Sequence, residues 1–134
     1  MNIQALVYAK ELDHIGDLFI NASKGINIEK NKETSKIKLQ ENLNELSYTN
    51  EEYRKITKLM EKISVPLNIS NLHAQLIHIM HSMTSGLMIM IKSIDIHNQL
   101  IDYVKMSKGN EIRLDALSKI QNTIQQITIE LLKN

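Results

Sequence analysis

Histidine is the side chain through which this chain could most readily do chemistry. His73, His78 and His81 fall within nine residues, with His97 further along. His78 and His81 stand three apart, a spacing that puts both on one helix face as a possible chelating pair. A zinc or iron site wants a third and fourth ligand, and with no cysteine in the chain these would be carboxylates. No Asp or Glu lies close by in sequence, so such a ligand would come from another helix, for example Glu61 or Glu52. Ordinary histidines at a half-buried interface account for the pattern more simply. The expectation is therefore no metal and no cofactor, with His78 and His81 as the residues to examine. Glu11-Leu-Asp-His14 matches the Glu-x-x-His step of di-iron bundles, which need two such steps and two further glutamates. The chain has no second one, and chance explains the match. Haem held by a His and a Met is conceivable in a helical bundle, but no attachment motif accompanies it. Phosphate loops, nucleophile elbows and metalloprotease helices are absent, as are paired carboxylates. The residues predict no enzyme.

Composition narrows the remaining classes. The 134 residues carry 16 basic and 15 acidic side chains, so no electrostatic footprint for nucleic acid or an anionic membrane is offered. Aromatic content of 4% leaves no stacking platform for single strands. No disulfide framework is available without cysteine. One proline and four glycines favour a few long elements over many short ones. The length suits one domain, residues 1–134, with a single modest core. Met1 to Lys10 lacks the basic start and apolar core of a signal peptide. The expectation is a cytoplasmic protein, and a chain that began after a removed signal would read the same.

The elements that would position these residues are helices. Apolar residues at Ala5, Tyr8, Leu12, Ile15, Phe19 and Ala22 recur at steps of three and four, predicting a helix over about 2–24 closed by Lys24-Gly25. A charged second helix over about 28–63 follows Ile28, Ser35, Leu39, Leu43 and Leu46, then Tyr53, Ile56, Met60 and Ile63. Thr49 with Glu52 fits a capping box near 48–50, so this helix either runs on with a kink or breaks there. Val65-Pro66 ends it. A third helix over about 67–107, with Ser70 as a candidate cap, carries a near-heptad stripe from Leu72 to Val104 that includes Ile94, His97 and Ile101. Lys108-Gly109-Asn110 would close it, and a last helix over about 110–133 carries Leu117, Ile120, Ile124, Ile127 and Leu131. The fold class is all-α, an antiparallel bundle of four main helices.

Between Lys62 and Lys92 no charged residue occurs, which marks a segment that water leaves. Leu76–Ile91 is short of the roughly 20 apolar residues of a membrane span. It is interrupted by His78, His81, Ser82, Thr84 and Ser85, and a buried soluble helix is expected. On the predicted lengths, helices two and three outrun their neighbours and leave one end of the hairpin covered by two helices alone. The third helix is apolar on every side there, so the missing cover would come either from a chain bent back at Thr49-Asn50 as a fifth segment or from a second molecule. The sequence accordingly predicts a self-association or partner surface at Leu72, His73, Leu76, Ile79, Met80, Met83, Leu87 and Met90, with a dimer favoured. Ser82 and Gly86 would admit another helix backbone at close range; deformable methionines also suit such a surface, although Met80, Met83, Met88 and Met90 are more simply read as filling a core with few aromatics.

Tyr8-Ala-Lys-Glu-Leu-Asp-His-Ile15, Ile63-Ser-Val-Pro66, Leu72-His73, Gly86 and Ser107-Lys-Gly-Asn110 together resemble the small helical ectodomains of lipoproteins from Bacillus-type Gram-positive bacteria. There a Val-Pro step precedes a Leu-His helix and a final amphipathic helix. The resemblance implies a helical bundle and a cell-surface anchor, and no chemistry. The chain departs from that group in lacking the lipid-bearing cysteine and a signal peptide. Its residues favour a non-enzymatic module of the regulator, inhibitor or immunity type that works by protein contact. A metal- or haem-binding bundle and a surface-anchored structural domain are the alternatives.

Overall fold

The computed structural model describes residues 1–26 and 34–133. It contains four long helices: α1 (Ile3–Ser23), α2 (Lys36–Lys62), α3 (Ser70–Lys92) and α4 (Tyr103–Leu132). A 3-10 turn, Leu67–Ile69, leads into α3. A hairpin of two-residue strands, β1 (Ile94–Asp95) and β2 (Leu100–Ile101), joins α3 to α4. The all-α bundle expected from periodicity is what the chain forms.

Each helix packs against its neighbour in sequence, and α3 with α4 is the most extensive pairing. Consecutive helices run antiparallel: Ala22 and Phe19 of α1 lie beside Thr49 and Tyr53 of α2, and Gly86 and His78 of α3 lie beside Gly109 and Asp115 of α4. All four contribute to one apolar core, including Tyr8, Ile15, Leu46, Tyr53, Met60, Leu76, Met83, Leu87, Met90, Ile120 and Ile127.

Local chemistry explains the boundaries. Asn2 caps α1, its Oδ1 accepting the Ala5 N–H at 2.8 Å. Ser35 caps α2 by accepting from the Lys38 N–H at 3.4 Å, so it stands before the helix and not on its stripe. The expected start at Ile28 lies outside the described residues. α2 runs without a break through 48–50, because Thr49 and Asn50 are buried inside the bundle. The Thr49 hydroxyl donates to the Ala22 carbonyl of α1 at 3.0 Å and caps no new helix. Ser70 is likewise the first helical residue of α3, not its cap.

The larger correction concerns residues 93–110. The third helix ends at Lys92 and not at 107, and the fourth begins at Tyr103 and runs through Lys108-Gly109-Asn110. Ser93 closes α3, its hydroxyl donating to the Met90 carbonyl at 2.6 Å. Asp95 accepts the Asn98 backbone N–H at 3.0 Å and its amide at 2.8 Å, building the turn. Gln99 takes φ 52 to complete it, and the Asp102 carboxylate then accepts the Lys105 N–H at 3.1 Å to start α4. Ile94 and Ile101, both on the expected heptad stripe, face each other as strand partners, while Val104 is 80% exposed.

Gly109 is buried in the second turn of α4 because it meets Gly86 of α3 backbone to backbone. A Cβ on Gly86 would lie 2.8 Å from the Gly109 carbonyl oxygen, and one on Gly109 would lie 2.6 Å from that of Gly86. The close approach expected at Gly86 therefore occurs, but within the chain. At 1.5 Å per residue, the 23 residues of α3 span about 35 Å and the 30 of α4 about 45 Å. No end of α3 outruns its cover.

Candidate docking surface

The structure packs the third helix between α2 and α4, with Asn71, Ala74, Gln75, His78, His81 and Ser85 left on an exposed side. His73, Leu76, Ile79, Met80, Met83, Leu87 and Met90 are all buried by the chain's own helices, and Leu72 is half-buried. The apolar surplus that motivated a partner surface on α3 is covered by α2 and α4. The segment Leu67–Lys92 is also apolar and long enough to cross a membrane by length and composition, and 33% of its apolar window is buried; here α3 packs against α2 and α4.

The buried His73 has a definite task. Its Nε2 lies 2.8 Å from the Met60 carbonyl oxygen, and its Nδ1 lies 2.8 Å from the Tyr8 hydroxyl. A carbonyl can only accept, so Nε2 carries the proton and Nδ1 accepts from the Tyr8 O–H. Met60 sits in the last turn of α2, where carbonyls have no intrahelical partner. One imidazole thus satisfies that carbonyl and ties α1, α2 and α3 together. Burial pushes the Tyr8 hydroxyl up to about 12. The same device recurs at other helix ends. Thr49 serves Ala22 in the last turn of α1, and the Asn68 amide reaches the Glu130 carbonyl in the last turn of α4 at 3.4 Å. Near the end of α1, Ser23 and Tyr53 share a short hydroxyl contact beside the stacked Phe19 and Tyr53 rings. Burial raises the Tyr53 hydroxyl, opposed by the Ser23 hydrogen bond and the Arg113 charge.

The remaining histidines do not converge. His81 Nε2 faces Glu61 of α2 at 3.9 Å, the carboxylate that spacing suggested. His78 instead lines the α3–α4 side with Ile79, Asp115 and Lys119. His97 is exposed in the hairpin turn, and His14 is exposed on α1. Among the described residues no group of three His, Asp or Glu could hold a metal ion.

The surface that sequence reasoning missed lies on α1. This helix buries Ala5, Tyr8, Ile15 and Ala22, yet turns Ile3, Leu6, Val7 and Ile20 to solvent, with Ile3 at 83% and Ile20 at 61% exposure. Stepping 100° per residue puts Leu6, Lys10, Asp13, Asp17 and Ile20 on its outward side. Along one flank runs a groove of about 290 Å³ between α1 and α4, floored by Ala9, Leu12, Gly16, Ile124 and Leu131 and edged by Asp13, Asp17 and Ile20. A Cβ on Gly16 would meet nothing within 4 Å, so the floor has open space above it. Beneath lies an apolar cavity of about 50 Å³ that shares Leu12, Gly16 and Ile124 with the groove and reaches Met60, Met80 and Ile120. α1 is thus the helix least completely packed. The signal was present in the sequence, since Ile3, Leu6, Val7 and Ile20 stand off the stripe that defines the α1 core face.

Protein-family models, curated proteins and solved structures were each compared with the chain, and none matches it.

Proposed function

We propose that this protein is a non-enzymatic helical module that works by protein contact, through the outward face of α1 and the groove α1 makes with α4. One observation carries the reading: α1 leaves Ile3, Leu6, Val7 and Ile20 exposed around its outer side, and an open, apolar-floored groove runs along its flank toward α4. At about 25 cal/mol per Å², covering such side chains stabilises a complex by several kcal/mol. The chemistry elsewhere fits the same reading. The buried Tyr8–His73 pair is committed to the Met60 carbonyl and closed to solvent, and a regulator, inhibitor or immunity role requires no reacting group.

The reading is tested by a photo-reactive residue placed at Leu6 or at Ile20, with Lys58 on the outside of α2 as the control. Cross-linking in the native cell is expected to give a discrete protein adduct from the α1 positions and none from Lys58. The absence of an adduct from α1, or equal labelling from both helices, would remove the proposal.

A further inference from the structure

The groove between α1 and α4 and the cavity beneath it also have the form of a small-molecule site. They meet at Leu12, Gly16 and Ile124. Gly16 leaves that junction open, since even a Cβ there would meet nothing within 4 Å. The cavity side chains, Phe19, Met60 and Met80 among them, are apolar throughout. A guest that brought a polar group inside would find no partner for it, so only hydrocarbon enters without a desolvation cost. Size then selects its shape. Apolar cavities of about 150 Å³ hold a benzene ring. This one measures about 50 Å³, room for the end of a linear chain and not for a ring.

Charge selects the other end of the guest. Among the described residues, the charged side chains lining the groove are Asp13 and Asp17, one helical turn apart and both exposed. Neither makes an ion pair among the described residues. Lys10 lies farther round α1 and does not line the groove. We propose that the site binds a linear aliphatic amine, its chain end seated in the cavity below Gly16 and its ammonium group beside Asp13 and Asp17. An aliphatic carboxylate would instead set like charges together there, which is repulsive. Such a ligand would be recognised whether or not a protein docks on α1.

Alkylammonium ions from butyl to dodecyl, titrated below their micelle concentrations into the purified full chain, test this by calorimetry. Affinity is expected to rise about fourfold per methylene until the cavity and its mouth are filled, then to level off at one ion per chain. The matching alkyl carboxylates should bind about threefold more weakly at low salt, because exposed ion pairs contribute modestly. Asp13→Asn/Asp17→Asn should close that gap. Gly16→Leu places a side chain in open space over the junction. Helical content should hold in that variant while affinity falls about tenfold, the share of one or two buried methylenes. No saturable binding, affinity that rises without levelling, carboxylates that bind as tightly as amines, or a folded Gly16→Leu that binds like wild type would each overturn the proposal. Because the purified chain is used alone, none of these results touches protein docking, which the cross-links from Leu6 and Ile20 decide.

Discussion

At the scale of single residues, the core is organised by polar side chains that close helix ends. His73 is the clearest case, because one ring satisfies Met60 and Tyr8 together. Replacing Tyr8 by Phe removes the donor to Nδ1 and leaves a buried acceptor unpaired, at a cost of about 1–3 kcal/mol, measurable by urea unfolding. The raised pKa of Tyr8 sets an alkaline limit as well. Its folded value of about 12 exceeds the ordinary tyrosine value of 10.0, so the neutral hydroxyl is favoured in the folded state. That contribution is fully present below pH 10 and is lost as the pH climbs toward 12. The wild-type chain should lose stability across this window, and the loss should be shallower in Tyr8→Phe. A helix period places His73 on the inner face of α3, but no local rule connects it to Tyr8, 65 residues earlier. Its role was therefore illegible until the helices were docked.

At the scale of elements, glycine divides into two kinds that sequence alone treats alike. Gly→Ala inside a helix ordinarily gains about 1 kcal/mol. Gly16 has free space around it, so Gly16→Ala should raise the thermal midpoint. Gly86 and Gly109 meet backbone to backbone, and overpacking of that kind costs about 1–3 kcal/mol or more. Gly86→Ala and Gly109→Ala should each lower the midpoint despite the better helix former, as calorimetry of the three variants would show. This contact also explains the misplaced helix boundary. Lys108-Gly109-Asn110 has the composition of a helix stop, whereas tertiary contact makes that glycine an interior residue. Further back, Ile94, Ile101 and the methionine stripe keep helical phase across a chain reversal, so periodicity passes over the hairpin. The signals that mark it, Asp95 with Asn98 and the Asp102 cap, are short-range and fall inside an apparently regular pattern.

At the scale of the whole molecule, the long uncharged stretch and the contact surface belong to different helices. The sequence joins the two because an apolar helix with too few neighbours needs a partner. Correct lengths for α3 and α4 supply the neighbours, and exposed aliphatic side chains remain instead on α1 (Ile3, Leu6, Val7 and Ile20) and on α4 (Val104, Leu114, Ile129 and Leu132). The cysteine-free chain allows this to be measured directly by thiol labelling of single-cysteine variants. Ile20→Cys should react rapidly in the purified protein and slow markedly in the complex captured through Leu6, where the α1 face is covered, while Met83→Cys stays protected in both. Labelling of Met83→Cys as fast as that of Ile20→Cys, or an Ile20→Cys rate indifferent to the captured partner, would return the contact surface to α3 or abolish it.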